Sequence, residues 1–78
     1  MDIELTSGEI ILACRNGLNM SQQTLAVSLG VSRSCIALWE TCQTVPRIQR
    51  LNSIVRALSM TDHQRNQLVR AMADAGDL

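Results

Sequence analysis

Every basic side chain in this sequence other than His63 is an arginine; there are seven, and no lysine. A guanidinium is a flat fork of donors that suits phosphate oxygens, the edge of a guanine, or a carboxylate. Arg33, Arg47, Arg50 and Arg56 fall within residues 32–56 against one acid, Glu40, for a local balance of +3. The flanks are acidic, −2 over residues 1–31 and −1 over residues 57–78, so the net charge is zero. A neutral total weighs against a nucleic-acid partner, whereas a central block of arginine weighs for one. Ordinary ion pairing would use the same arginines, so charge alone leaves both readings open.

Other chemistries have less support. Cys14, Cys35 and Cys42 are odd in number and form no C-x-x-C pair or His/Cys cluster with ligand spacing. They are expected to be plain reduced thiols, with no disulfide framework and no metal site. His63 has no acid and nucleophile patterned around it and is expected to be a solvated helix residue. With no paired acids, nucleophile or ligand constellation, the sequence predicts neither an enzyme nor a cofactor.

The elements that carry these side chains are legible from punctuation. The chain of 78 residues is 46% apolar and 18% charged, which predicts one globular domain spanning residues 1–78. Its apolar runs are too short to span a membrane. The opening "MDIELTSGEI" lacks a basic region followed by an apolar stretch, so a cytoplasmic product is expected. No alternating run or hairpin signal predicts a strand.

Thr6-Ser7-Gly8-Glu9 fits a capping box, opening a helix with Ile10, Cys14 and Ala13 inward and Gly17 as its stop. Ser21 caps a second helix carrying Leu25, Ala26 and Leu29 on one face, with Gly30 at its end. Ser32 caps a third, with Ile36 and Trp39 inward. Pro46 is expected to start a fourth, whose Leu51, Ile54, Val55 and Leu58 keep helical spacing. Thr61-Asp62-His63-Gln64 opens a fifth, with Leu68, Val69 and Met72 inward and Gly76 after it. The expected class is all-α, five short helices with tight connections.

Between the second and third helices the chain has only Gly30 and Val31 in which to turn. On a wheel of about 100° per residue, Cys35, Ile36, Trp39 and Glu40 fall on one half of the third helix. Arg33, Ser34, Ala37, Leu38 and Thr41 fall on the other. That outer face carries one long cation and then small or medium side chains, a shape that a major groove about 12 Å wide accepts. Helical hairpins have many uses, so spacing alone leaves a plain protein-interaction bundle equally open.

The stretch "MSQQTLAVSLGVSRSCIALWETCQTVPRI" resembles the helix-turn-helix of the lambda-repressor/Cro-like (XRE) transcriptional regulators. The agreement runs through Ser21-Gln22, Leu25-Ala26, Leu29-Gly30-Val31, Ser32-Arg33-Ser34, Ile36, Trp39-Glu40 and Pro46, and extends over residues 8–60, with the motif at about 22–41. The resemblance implies a compact five-helix lambda-repressor-like fold whose third helix is the recognition helix. Arg33, Ser34, Ala37 and Leu38 then match base-facing positions. Gln22, Ser32, Gln43, Thr44, Arg47 and Arg50 are placed as phosphate anchors, and Arg15 with Glu40 matches a structural ion pair between the first and third helices.

Two residues depart from the pattern. Cys42 stands where the family usually has glycine; a left-handed backbone there would cost a non-glycine residue about 1–2 kcal/mol. Leu38 is apolar where a polar base reader is common, and in a groove it could cover a thymine methyl.

The implied function is a sequence-specific DNA-binding regulator, a repressor or autoregulator holding a palindromic duplex operator as a homodimer. It is expected to be closer to a Cro protein, a restriction–modification controller or a short operon autoregulator than to a cleavable phage repressor. The alternatives are an antitoxin-type component with a toxin partner, favoured by a spare apolar stripe on "NQLVRAMADAGDL", and an interaction bundle that does not bind DNA.

Overall fold

The computed structural model describes residues 5–74, which form five α-helices and, among these residues, no strand. The helices are α1 (Ser7–Gly17), α2 (Gln22–Leu29), α3 (Arg33–Glu40), α4 (Leu51–Ala57) and α5 (Asp62–Asp74). A 3-10 turn, Ile48–Arg50, leads into α4. The all-α, five-helix architecture expected from the sequence is the one that forms.

Polar side chains start the helices. Thr6 Oγ1 accepts from the Glu9 amide at 3.1 Å, and Glu9 Oε1 accepts from the Thr6 amide at 3.0 Å. That backbone bond, helped by the Thr6 hydroxyl, holds the Glu9 carboxyl below its ordinary range. Ser21 and Ser32 cap α2 and α3 through the amides of Thr24 and Cys35. Thr61 and Gln64 form a second reciprocal box.

Left-handed residues end them. Asn19 (φ 54°), Gly30 (φ 69°), Cys42 (φ 63°) and Ser59 (φ 49°) each close a helix, and only one of the four is glycine. The next amide in every case reaches back five residues at 3.0 Å: Met20 to Arg15, Val31 to Ala26, Gln43 to Leu38, and Met60 to Val55. These bonds satisfy carbonyls that the helix itself leaves free. The expected stop at Gly17 is therefore corrected: Gly17 is the last helical residue, and Asn19 makes the turn. Asparagine tolerates this conformation because its short polar side chain can bond locally.

One core gathers Ile10 and Ile11, Leu25, Ala26 and Leu29, Ile36 and Trp39, Leu51, Ile54 and Leu58, and Leu68, Ala71 and Met72. α3 packs against both α1 and α2, α5 against α1, and α4 against α2. Ala13, expected inward, is exposed. At about 100° per residue, Ser7, Ile10, Ile11 and Cys14 share an arc from which Ala13 is excluded. Val55 and Val69 are half-buried at the core's margin.

The fourth helix starts later than expected. Pro46 is fully buried as a core residue, and Arg47 is extended (φ −73°, ψ 150°), so regular winding begins only at Leu51 after the 3-10 turn. Gly76, the expected end of α5, lies outside the described residues.

Gly8 has a packing role that the capping signal did not disclose. A methyl group there would run into the main-chain carbonyl of Trp39 and crowd that of Glu40. Its missing side chain lets the first turn of α1 lie directly on the end of α3.

Candidate nucleic-acid interface

The corner between α2 and α3 is made by two residues. Gly30 turns left-handed (φ 69°, ψ 32°), and half-buried Val31 packs against the core. Ala26 is fully buried and has no bulk beyond a methyl, so α3 can cross α2 closely. Ile36 and Trp39 fix the inner side of α3. Its outer side is then committed to solvent: Arg33, Ser34, Leu38 and Thr41 are exposed, and Ala37 is half-buried. Small side chains on this face leave the helix narrow enough to approach base edges.

A chain of polar contacts ties α3 to the first two helices. Arg15 Nε donates to Glu40 Oε2 at 2.7 Å and Arg15 Nη2 to Glu40 Oε1 at 3.1 Å, a two-pronged pair whose side chains are 12% and 5% exposed. Arg15 Nη1 also donates to the Met20 carbonyl at 2.7 Å, bracing the α1–α2 turn. Gln22 Nε2 donates to Glu40 Oε1 at 2.9 Å, and Gln22 Oε1 accepts from Arg33 Nη1 at 3.3 Å. Nothing in the linear sequence announces the last two contacts. The spacing of eleven between Gln22 and Arg33 acquires meaning only when two helix starts meet across a glycine corner.

The expected phosphate anchors are differently employed. Ser32 Oγ accepts from the Cys35 amide, which leaves its own O–H free to donate outward. Gln43 Nε2 reaches Thr41 Oγ1 at 3.3 Å, and the Thr44 amide bonds the Leu38 carbonyl at 3.3 Å, so both residues of this exposed loop are folded onto the end of α3. Arg47 is exposed and makes no side-chain hydrogen bond among the described residues. Arg50 has a structural tie: Nη1 donates to the Leu29 carbonyl at 3.1 Å, placing a cation at the C-terminal end of α2.

Cys42 does adopt the left-handed backbone, so the loop keeps the shape a glycine would give it. Its Sγ donates to Thr6 Oγ1 at 3.1 Å, tying the loop after α3 to the cap of α1.

Among the described residues no group of three or more His, Cys, Asp or Glu side chains could hold a metal ion, and no helix is long and apolar enough to cross a membrane. The arrangement instead offers a slim helix with a cation on its first turn and hydroxyl and amide donors beside it. Such a surface can lie in a duplex groove and donate to phosphates at its rim.

A family model described as "Helix-turn-helix", of the Cro/C1 or XRE type, matches residues 11–63, more than half of the chain. No curated protein and no solved structure matches it. The matched span runs from the middle of α1 through the corner and α3 to the first turn of α5, and so contains the Arg15–Glu40 pair, the Gln22 contacts and the whole of α3, while the first turn of α1 and α5 beyond His63 lie outside it. This chain belongs to the Cro/C1-type helix-turn-helix family, and it is a DNA-binding regulator of the XRE type.

Proposed function

We propose that the protein is a repressor or autoregulator that binds a palindromic operator as a homodimer, reading each half-site with α3 in the major groove. The observation that carries this reading is the outer face of α3, where Arg33, Ser34, Ala37 and Leu38 stand on a helix held by its opposite side. Arg33 suits a guanine, which a guanidinium contacts through two parallel hydrogen bonds. Leu38, 37% exposed, suits a thymine methyl. Ser32, Gln43, Thr44 and Arg47 border that face and suit phosphates, with Arg50 contributing charge from the end of α2.

Dimerisation is supported by size. One module of this kind covers little DNA surface, and two half-sites one helical turn apart supply the missing affinity. A toxin partner gains no support from α5, whose Leu68, Ala71 and Met72 are buried in the protein's own core. The single-domain reading of residues 1–78 is part of the same proposal.

Selection of bound duplexes from a random pool tests it, run with the wild type and with Arg33→Ala. The wild type should return a two-fold symmetric motif with a guanine in each half, and Arg33→Ala should relax that guanine alone. No enriched motif, or a guanine kept by Arg33→Ala, would count against it.

A further inference from the structure

A cavity of about 320 Å³ opens where the start of α1, the loop after α3 and the end of α5 meet. Leu5, Val45 and Ala71 give it an apolar wall. Its polar groups include the exposed Cys42 thiol, the Ser7 hydroxyl and the Asp74 carboxylate. Ser7 is only 4% exposed, and its hydroxyl makes no hydrogen bond among the described residues. Side-chain oxygens sealed from solvent there all have partners, so the Ser7 hydroxyl must face the open space it lines. A hydroxyl so deeply placed is normally satisfied, and this one is left free to bond a ligand. Asp74 makes no ion pair among the described residues. The cavity therefore sets two free oxygen acceptors beside a reactive sulfur.

We propose that this cavity is a thiol-exchange site, in which Cys42 takes up a small aminothiol from its disulfide and thereby weakens DNA binding. Cys42 gives up its proton, and its sulfur attacks one sulfur of the disulfide R–S–S–R. A Cys42 S–S–R bond forms, the old S–S bond breaks, and the departing sulfur takes a proton to leave as R–SH. The disulfide is the oxidant, and a reducing thiol reverses the step. An ammonium only donates, which suits the carboxylate of Asp74 and the hydroxyl oxygen of Ser7. The volume lies at the small end of ligand sites, so a short aliphatic arm fits the apolar wall better than a peptide does.

The consequence travels through the loop. The exchanged sulfur has no proton to donate, so its 3.1 Å bond to Thr6 Oγ1 is lost. Thr6 still accepts from the Glu9 amide, and α1 keeps its cap. The loop after α3 loses its tie to α1, and Gln43 and Thr44 are the next residues along it. The effect on DNA rests on the reading of those two residues as phosphate contacts, and should fall on all sequences alike.

Three disulfides of similar length test the site: cystamine, which is cationic, bis(2-hydroxyethyl) disulfide, which is neutral, and dithiodiglycolate, which is anionic. Each rate is scaled to that of the same reagent on the urea-unfolded chain. Peptide mass spectrometry should place the first adduct on Cys42. Cystamine should react roughly three- to ten-fold faster than dithiodiglycolate, the worth of one charge contact near a surface. Asp74→Asn should remove that preference and leave the Kd of untreated protein for DNA unchanged. Ser7→Ala should lower the yield of cystamine adduct at a fixed ratio of disulfide to thiol. The adduct should bind selected and random duplexes roughly two- to ten-fold more weakly, about one hydrogen bond's worth, and dithiothreitol should restore both. First labelling at Cys14 or Cys35, equal scaled rates for the three reagents, or an adduct with unchanged Kd would each overturn the proposal. The labelling uses no DNA, so it is separable from the operator reading, which fails if untreated protein selects no motif.

Discussion

Glu40 is a carboxylate with its side chain 5% exposed, and an isolated charge that deeply placed would be expelled or neutralised. Three donor nitrogens solve the problem, two from Arg15 and one from Gln22. The pair is worth more when broken than when made, because removing one partner leaves the other desolvated and unmatched. Glu40→Ala should destabilise the protein by about 3 kcal/mol, near the lower end of that range because Arg15 keeps 12% exposure. For a chain of this size that is a fall in melting temperature on the order of 10–20 °C. Arg15→Ala should fall similarly and also free the Met20 carbonyl. A double replacement by apolar residues of like volume should lose less than either single change, and thermal melts of the three variants would show it. Melts of Arg15→Ala and Glu40→Ala that overlay the wild type would mean that the contact has no energetic weight.

The helices are short, so their ends and crossings decide a large share of their stability. Cys42 and Ser59 both occupy left-handed positions that glycine would fill without strain. Ser59→Gly should raise stability by about 1 kcal/mol, since no side-chain hydrogen bond of Ser59 is lost among the described residues. Cys42→Gly should gain less, because the thiol's bond to Thr6 goes with it. Denaturant midpoints compared side by side would give the order. The crossing of α1 over α3 is less tolerant. Gly8→Ala forces a methyl against the Trp39 carbonyl and should cost about 1–3 kcal/mol, the usual range for overpacking, with operator affinity falling as α3 shifts. A variant as stable as the wild type would show that α1 can slide aside.

Helix number, the polar caps that open α1, α2, α3 and α5, and the inner face of α3 were readable from the sequence, because each depends on residues within a turn or two of one another; the start of α4 was not, because Pro46 is drawn into the core instead. Asn19 as a stop, Gly8 as a contact and Gln22 as a link were not. Gly8 and Gln22 depend on what a distant segment brings to them, Asn19 takes a conformation that its residue type permits but does not announce, and the separation of 36 positions between Thr6 and Cys42 gives no local sign that their side chains meet.

At the scale of the molecule, neutrality hides an uneven surface. The one acid within residues 32–56 is consumed by Arg15, so the side that carries α3 presents Arg33 and Arg47 without a competing carboxylate from that segment. Phosphate contacts help every sequence alike and set the dependence on salt. Arg47→Ala should therefore weaken selected and random duplexes to the same extent and flatten the plot of log K against log salt by about 0.9. Loss of binding confined to the selected site would place Arg47 on a base.

The graded placement of the three thiols makes the fold its own stopwatch. Cys42 is exposed, whereas Cys14 and Cys35 are half-buried against the core on α1 and α3. Burial also pushes the Cys14 thiol up, away from its nucleophilic form. An alkylating reagent should thus meet Cys42 at a rate set by the reagent, and the other two at rates governed by how often each helix lifts. Mass spectrometry of partly labelled chains would resolve these rates, with Cys42 as the internal reference and no reporter group added. DNA that fastens α3 should slow Cys35 more than Cys14, turning a set of cysteines into a residue-resolved record of recognition.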